Sequence, residues 1–312
     1  MSLVALDGVS KSFGDVRAVD DVTLEVDRGE VVGFLGPNGA GKTTTMRLVT
    51  GFLEPDEGSV AVAGLPVGDR PVEARSRIGY LPETTPIYRD MLVREYLEFV
   101  AELRGIDGRE RRRRIDASVQ QTGIQDVFHR PVDDCSKGYR QRVGIAQAIL
   151  PEPDLLILDE PTEGLDPNQR VEIRELITSL GRERTVVLST HVMQEVQRTC
   201  ERLLIIHEGG IVADGPVDGI LGDAAGRISV ELDAPPGEAR SALEGMAGVA
   251  GVEAAGTSPR ARFELTAAGD GDLEPEIFAL ARERDWPIWE LHREEENLED
   301  VFRQLTGSRD DE

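Results

Sequence analysis

The chain has 312 residues, enough for one large domain and a small one, or for two of medium size. Its 59 acidic and 35 basic side chains give a net charge of −24, a field that repels phosphate backbones and excludes broad nucleic-acid binding. No apolar run of about 18 residues predicts a membrane span, the first residues lack the layout of a signal peptide, and the two cysteines fit no metal spacing.

The first segment with a clear chemical pattern is a short apolar strand followed by a glycine-rich turn and a helix. The run "VVGFL" at Val31 to Leu35 is typical of a buried strand, and "TTTMRLVTGFL" predicts the helix. Between them the chain reads G-x-x-x-x-G-K-T. That spacing, in this strand–loop–helix context, indicates a loop that binds a nucleoside triphosphate.

The chemistry of this loop explains why those residue types are needed. Glycines allow backbone N–H groups to turn inward, and the helix that follows adds its positive end. Lys42 supplies a compact charge for the β- and γ-phosphates, and the Thr43 hydroxyl is a ligand for Mg²⁺. The alternative is a glycine-rich turn without a ligand. The predicted nucleotide-binding residues are Gly36, Pro37, Asn38, Gly39, Ala40, Gly41, Lys42, Thr43 and Thr44.

A long helical region is predicted at about residues 84–150. Apolar residues recur at helical spacing at Leu92, Tyr96, Phe99, Val100 and Leu103. The basic run "RERRRR" that follows them is either a solvated helix face or a contact for lipid headgroups.

Two further apolar runs, "LLILDE" and "TVVLSTH", predict buried strands that end in polar side chains. In a parallel sheet these ends meet at the edge where ligands bind. Asp159 would then hold Mg²⁺ through its water shell, and Glu160 would orient or deprotonate the attacking water. His191 would contact the γ-phosphate. The alternative for all three is an ordinary capped strand end.

The composition changes after "HEGGIVADG", which predicts a hairpin with a Gly-Gly turn. Residues 223–312 hold about 22 acidic and 9 basic side chains. The segments "ISVEL" and "ARFEL" alternate as half-buried strands do, and Leu273, Ile277, Leu280 and Ala281 form a helical stripe. This order predicts a small ferredoxin-like α+β domain without a catalytic cluster. The chain is therefore divided into domains at 1–222 and 223–312.

The order of these motifs, with "SKGYRQR", "LLILDEPTEGLD" and "LSTH" in turn, resembles the ATPase subunits of ATP-binding cassette (ABC) transporters over about residues 1–222. The segments "IGYLPE", "YRQRVGIAQAIL", "GLDPNQ" and "LEDVFRQLT" resemble the subgroup that serves export-type permeases. The resemblance implies an α/β fold, a P-loop NTPase cassette. It consists of a parallel-sheet core, an antiparallel β subdomain and a helical subdomain, to which the C-terminal domain is added.

The resemblance also implies further site residues. The family's signature loop, usually L-S-G-G-Q, faces the nucleotide of the opposite subunit, and here Ser136, Lys137 and Gly138 stand in that loop. Lys137 replaces a glycine, and its ammonium either approaches phosphate or points to solvent. Asp166 matches the loop that crosses the dimer interface, or is an ordinary turn residue before a proline.

Two more positions follow from the same comparison with the family pattern. Phe13 stands where the family stacks an aromatic ring on adenine, unless it is simply a core residue. Glu83 stands where the family carries a glutamine that senses Mg²⁺ and the permease. A carboxylate near triphosphate is repelled unless a cation lies between them, so Glu83 either binds the metal or swings out.

The function implied is that of an ATP-hydrolysing subunit that uses ATP and Mg²⁺. Two copies would close around two ATP and drive a separate integral membrane permease, with export favoured, from the cytoplasmic face of the membrane and without a nucleic-acid partner. Two alternatives are a soluble cassette acting on ribosomes or DNA, and a regulatory cassette that does not hydrolyse ATP. The sequence shows neither the paired cassettes nor the insertions that are usual for the first class. The second alternative is weakened because all the catalytic residue types are present.

Overall fold

The computed structural model describes residues 2–220, 227–255, 260–268, 272–293 and 301–302, and the chain divides into two compact units, Met1–Val217 and Asp218–Glu312. The domain boundary predicted at 222/223 falls within residues 221–226, which lie outside the described ranges. Each unit has its own hydrophobic core, as an independently packed domain requires.

The first unit is built from strands and helices in the following order. Its strands are β1 (Ser2–Phe13), β2 (Val16–Asp27), β3 (Val31–Leu35), β4 (Glu57–Val62), β5 (Leu65–Pro66), β6 (Ile78–Leu81), β7 (Leu155–Asp159), β8 (Thr185–Thr190), β9 (Arg202–His207) and β10 (Gly210–Pro216). Its helices are α1 (Lys42–Val49), α2 (Pro71–Ser76), α3 (Val93–Leu103), α4 (Gly108–Thr122), α5 (Lys137–Ile149), α6 (Pro167–Gly181) and α7 (Met193–Thr199), and a short helix α8 (Val217–Ile220) begins at the last residue of this unit.

A six-stranded sheet in the order β10-β9-β3-β8-β7-β6 positions the polar residues predicted at strand ends. Its members β9, β3, β8, β7 and β6 are parallel, and only β10 runs antiparallel to its neighbour. Leu35 lies opposite Thr190, and Asp159 lies opposite Ser189. The carboxyl ends of three adjacent strands therefore meet at one edge, as the sequence predicted.

A four-stranded antiparallel sheet, β2-β1-β4-β5, packs with α1 and the inner face of the six-stranded sheet in one core. Phe34, Met46 and Leu48 are among its largest fully buried side chains. This core fixes the base of the loop between β3 and α1, because both flanking elements are immobilised in it.

The predicted helical region has a hydrophobic core of its own, formed by α3, α4 and α5. Helix begins only at Val93, later than the predicted start near residue 84. Tyr96 and Val100 are buried as predicted, but Leu103 is 70% exposed because the helix ends there and the chain turns away at Arg104. In the parts of the chain that the structure describes, no helix combines the length and apolarity that crossing a bilayer requires.

Two local predictions in this unit were wrong. The helix after the glycine-rich loop ends at Val49 rather than continuing through "GFL", because Gly51 adopts φ = 66°, and Phe52 is exposed. The hairpin between β9 and β10 turns at Glu208-Gly209, with φ values of 48° and 82°, and not at the Gly-Gly pair, since Gly210 already pairs with His207.

The second unit has the predicted βαββαβ order. Its elements are β11 (Arg227–Leu232), α9 (Pro236–Glu244), β12 (Val249–Ala254), β13 (Ala261–Ala267), α10 (Glu274–Glu283) and β14 (Ile288–Arg293). All pairings in the sheet, β12-β13-β11-β14, are antiparallel, and the helices pack on alternate residues such as Val230 and Phe263. The ferredoxin-like prediction is confirmed. The "LEDVFRQLT" segment lies outside the described residues except for Val301 and Phe302.

Candidate nucleotide-binding site

The glycine-rich loop lies between β3 and α1 and leaves no room for larger residues at two positions. A Cβ atom at Gly36 would lie 2.4 Å from the carbonyl oxygen of Ile206, and one at Gly41 would lie 2.4 Å from that of Ala18. Gly41 also has φ = 109°, a backbone conformation that favours glycine. Immediately after it α1 begins at Lys42, so the first N–H groups of the helix, which have no intrahelical partner, face the loop.

A cleft of about 310 Å³ opens above this loop. Residues from the loop, from the strand ends and from the segment after β6 line it: Ala18, Asn38, Gly39, Gly41, Lys42, Thr43, Thr44, Glu83, Glu160, Glu163 and His191. The predicted Lys42, Glu160 and His191 are therefore brought together, whereas Gly36, Pro37 and Ala40 do not line the cleft, Gly36 and Ala40 being buried and Pro37 exposed. A polar cleft at the carboxyl edge of a parallel sheet is the expected place for a nucleotide.

Lys42 is buried at the centre of the cleft, with its side chain 6% exposed. Its Nζ donates to the carbonyl oxygens of Gly36 at 2.7 Å and Pro37 at 3.1 Å, and lies 3.4 Å from Oε1 of Glu160. A buried ammonium must be paired, and these three oxygens satisfy it. The same geometry places its charge at the mouth of the loop where a triphosphate would lie.

Asp159 ends β7 and is fully buried. The Ser189 hydroxyl donates to its Oδ1 atom, while Oδ2 has no hydrogen-bond partner among the residues that the structure describes. Burial raises the pKa of Asp159, and a cation beside the carboxylate would stabilise its ionised form. A buried carboxylate oxygen without a hydrogen-bond partner fits a divalent cation.

Glu160 follows directly and has a left-handed backbone conformation, φ = 48°, that is rare for residues other than glycine. Its N–H donates to the carbonyl oxygen of Ser189 at 3.0 Å. Its carboxylate is 7% exposed. One oxygen, Oε2, lies 3.0 Å from Nδ1 of His191, and the ammonium of Lys42 approaches the other, Oε1. The arrangement holds one carboxylate between a lysine and a histidine at the edge of the cleft.

Glu83 follows β6 and lines the same cleft. Burial, together with the carboxylates of Glu163, Asp159 and Glu160, raises the pKa of Glu83. A second cleft of about 340 Å³, on the other side of Glu83 and Glu160, is lined in addition by Lys137 and Arg140. Glu83 thus lies near the other acids of the cleft, and its role toward a metal stays a prediction.

Phe13 lies outside the residues that line the cleft. It is 49% exposed at the end of β1, opposite the exposed Val16, and the Lys11 ammonium lies 6.0 Å from the centre of its ring. The interpretation of Phe13 as a core residue is wrong, since about half of the residue is accessible. Ala18, on the neighbouring strand, is the residue of this region that lines the cleft.

The signature loop has a different position. Ser136 is the N-cap of α5 and accepts a hydrogen bond from the N–H of Tyr139 at 3.3 Å. Ser136 and Gly138 line a separate cleft of about 380 Å³, in which the amide of Gln169 lies against Gly138. Lys42 is absent from the lining of that cleft. One chain therefore does not bring its signature loop to its own phosphate-binding loop.

Lys137 is an exposed residue, but the end of its side chain lies against another loop of the same chain. Its Nζ lies against Gly164, so close that a Cβ atom added there would be 2.1 Å away. Asp166 caps α6, accepting a hydrogen bond from the N–H of Gln169 at 3.0 Å. Both residues are thus tied to the loop that connects Glu160 with α6.

Sequence reasoning missed Ser189, which hydrogen-bonds Asp159, and the buried pair Thr162 and Glu195. Only the position of Ser189 one residue before a strand end could have indicated it, because its role depends on the register between β7 and β8. Among the described residues no group of three or more His, Cys, Asp or Glu side chains is preassembled to hold a metal. A cation here would need oxygen ligands from water or phosphate as well.

Comparison with known proteins gives a consistent result. The ABC transporter family matches residues 19–163. The chain is 39% identical to the ABC transporter ATP-binding protein NatA of Bacillus subtilis (strain 168) over 70% of this chain and 91% of that protein. It is 35% identical to the Nod factor export ATP-binding protein I of Paraburkholderia xenovorans (strain LB400) over 97% of each.

Solved structures agree with these relatives. An ATP-binding subunit of an ABC transporter, 33% identical, superposes with a TM-score of 0.64 over 70% of this chain and 92% of that one. A bacterial ABC transporter cassette whose structure is dimeric, 25% identical, has a TM-score of 0.63 over 69% of this chain and 98% of the other. The same cassette has been solved in a post-hydrolysis state bound to ADP and Pi.

Proposed function

The chain belongs to the ATP-binding subunits of ABC transporters, and from this premise we propose that it hydrolyses ATP to drive a separate permease, in the direction of export. As a member of that family it binds nucleotide and is an ATPase. The observation that carries the proposal is the convergence of Lys42, Glu160 and His191 in one cleft, with the buried Asp159 directly before Glu160 at the end of β7. A regulatory cassette without hydrolysis would not need Glu160 and His191 in contact.

In this proposal the triphosphate lies on the loop of residues 36–44, with Lys42 at the β- and γ-phosphates. Mg²⁺ is held by Thr43 and Asp159, whose free buried oxygen supports this assignment, and Glu83 is a further candidate ligand. When bound, the cation neutralises charge that develops on the phosphate oxygens. Phe13 offers an accessible ring for the adenine base.

Hydrolysis in this proposal depends on the side chains around Glu160. The Glu160 carboxylate orients the attacking water and accepts its proton, while His191 contacts the γ-phosphate and keeps the carboxylate in place through the 3.0 Å contact between Nδ1 and Oε2. Lys42 stabilises negative charge on the phosphate. That Lys42, Glu160 and His191 all line the cleft supports these roles.

Two copies of the chain complete two sites. Ser136, Lys137 and Gly138 of one copy face the nucleotide held by the other, and Asp166 lies in the loop that crosses between them. The separation of Ser136 and Lys42 into different clefts of one chain supports this arrangement. So does the similarity to a cassette that is dimeric in its solved structure. The C-terminal domain supports the dimer in this proposal.

ATP-driven closure of the two copies pushes on the permease through the surface between Glu83 and Leu103. Exposed apolar side chains there, Tyr88 at 57% and Leu103 at 70%, support contact with a partner protein. The 35% identity to a Nod factor export protein over 97% of the chain supports export. The chain would accordingly be located in the cytoplasm, bound to the inner face of the cell membrane.

A membrane pull-down with the full chain tests the proposal. Crosslinked membranes should yield a protein with several hydrophobic spans, and the purified complex should hydrolyse ATP only with Mg²⁺ present. Variants at Tyr88 and Leu103 that carry aspartate should lose the partner and keep nucleotide binding. Recovery of ribosomal or DNA-bound material without a membrane protein would contradict the proposal.

A further inference from the structure

The turn that presents Glu160 is conformationally strained and must be held from outside. Glu160 has φ = 48°, and a non-glycine residue keeps such a backbone conformation only where its surroundings fix it. On one side the turn is fixed by Ser189, whose carbonyl oxygen accepts from the N–H of Glu160 at 3.0 Å and whose hydroxyl lies 3.3 Å from the same nitrogen. The other side needs an equivalent restraint.

Thr162 provides a restraint on that other side, through Glu195 on α7. The Thr162 hydroxyl donates a hydrogen bond to Oε2 of Glu195, and the two residues are only 3% and 4% exposed. The second carboxylate oxygen, Oε1, is buried and has no hydrogen-bond partner in the described part of the chain. Burying a carboxylate with a single partner is unfavourable, so the pair is poorly explained by fold stability alone.

The helix that carries Glu195 is itself fixed against the phosphate-binding strand. A Cβ atom on Gly33, in β3, would lie 2.5 Å from Cγ1 of Val196 and 3.1 Å from Sγ of Cys200, so α7 packs directly on that strand. The same helix follows the loop that holds His191, four residues before Glu195. A displacement of Glu195 would therefore move this loop relative to the Glu160 turn.

We propose that Glu195 is a positioning residue for Glu160 and His191. Its buried hydrogen bond with Thr162 holds the strained turn at Glu160 in place relative to the loop that carries His191. This inference rests on the proposed function, because it assigns a role in the reaction of that site. It predicts that removing the hydrogen bond between Thr162 and Glu195 lowers ATP turnover specifically, because Lys42 and the phosphate-binding loop are held by other contacts.

The direct test is Thr162→Val in the full chain, which removes the hydroxyl and preserves the shape. We expect kcat for Mg²⁺-dependent ATP hydrolysis to fall about 10- to 100-fold, with KM for ATP changed less than about threefold. Thr162→Ser keeps the hydroxyl and should restore kcat. Hydrogen exchange at the Glu160 amide should accelerate in Thr162→Val, because its bond to Ser189 is no longer held from both sides.

Two variants separate positioning from stability. Thr122→Val is the matched control, since the buried Thr122 hydroxyl donates to the carbonyl oxygen of Ser118 at 2.7 Å within α4, and it should keep kcat. The double variant Thr162→Val/Glu195→Met removes the orphaned carboxylate and should regain thermal stability while kcat stays low. Parental kcat in Thr162→Val, or recovery of kcat together with stability in the double variant, would overturn the inference.

The exchange measurement distinguishes a failure of this inference from a failure of the proposed function. A parent chain without ATP turnover would contradict the proposed function. In that case the role of the Thr162–Glu195 hydrogen bond is still tested. Unchanged hydrogen exchange at the Glu160 amide in Thr162→Val would show that Thr162 and Glu195 do not hold the turn.

Discussion

The Nζ atom of Lys42 lies 3.4 Å from Oε1 of Glu160, and both side chains are more than nine-tenths buried. The lysine that should bind phosphate is thus paired with the carboxylate that should activate water. An incoming triphosphate competes with Glu160 for this ammonium and is repelled by the carboxylate. The charge of Glu160 therefore influences nucleotide affinity as well as hydrolysis.

Substitution of Glu160 by glutamine should separate these two effects. We expect Glu160→Gln to lower ATP turnover by about 100-fold or more, because the amide cannot accept the proton of water. Affinity for Mg²⁺-ATP should be equal or higher, since the repulsive charge is gone. Phosphate release and equilibrium nucleotide binding measure the two quantities. Hydrolysis near the parental rate would remove Glu160 from the mechanism.

His191→Ala should reduce kcat more than it raises KM. The imidazole contributes a 3.0 Å contact to Glu160 and lines the cleft, but it is not part of the phosphate-binding loop. Losing one oriented polar group at the reacting centre costs about 10²- to 10³-fold in kcat. Steady-state kinetics at saturating ATP give the value. A change confined to KM would mean that His191 only binds the nucleotide.

The two positive-φ glycines of the loop should differ in their tolerance of alanine. Gly41→Ala should abolish nucleotide binding, because its Cβ would lie 2.4 Å from a backbone oxygen at φ = 109°. Gly39→Ala, at φ = 85° with open space around the added carbon, should bear only the strain of about 1–2 kcal/mol. Calorimetric titration with Mg²⁺-ATP compares them, and equal affinities for the two variants would contradict the loop geometry.

Both cysteines should resist alkylation in the native protein. Cys135 and Cys200 are buried free thiols, and burial raises the pKa of Cys200 to about 12 and that of Cys135 above its usual range. A raised pKa leaves little thiolate at neutral pH, and thiolate is the reactive form. Mass spectrometry after iodoacetamide treatment at pH 7.5 should find both unmodified until the chain is unfolded. Rapid labelling of Cys200 in folded protein would contradict its burial at the end of α7.

The sequence predicted those parts of the site that depend on local pattern. The strands that end at Leu35, Asp159 and Thr190 and the loop before Lys42 are each encoded by a contiguous run, so their presence and order could be inferred. The hydrogen-bond partners of Asp159 and Thr162 could not, because Ser189 and Glu195 come from distant segments brought near only by strand register and helix packing. The contact of Lys137 with Gly164 also joins segments that are distant in sequence, so it could not be predicted either.

The errors in the fold have a similar origin. The helix that begins at Lys42 was predicted to extend through apolar residues after Val49, but a glycine in a left-handed conformation ends it. A pattern of apolar residues alone does not predict a left-handed backbone conformation. The exposed Leu103 likewise fits the helical stripe, and only the end of α3 explains why it is not buried.

The most direct test of the account is the mass of the Glu160→Gln chain in solution with Mg²⁺-ATP, measured by analytical ultracentrifugation. A nucleotide pocket shared by two copies predicts a species of twice 34.1 kDa that dissociates when ATP is removed. In Glu160→Gln/Ser136→Glu, where a carboxylate faces the partner's phosphate, the species should be monomeric with ATP still bound. A monomer in the first sample, or an unchanged dimer in the second, would contradict the shared pocket.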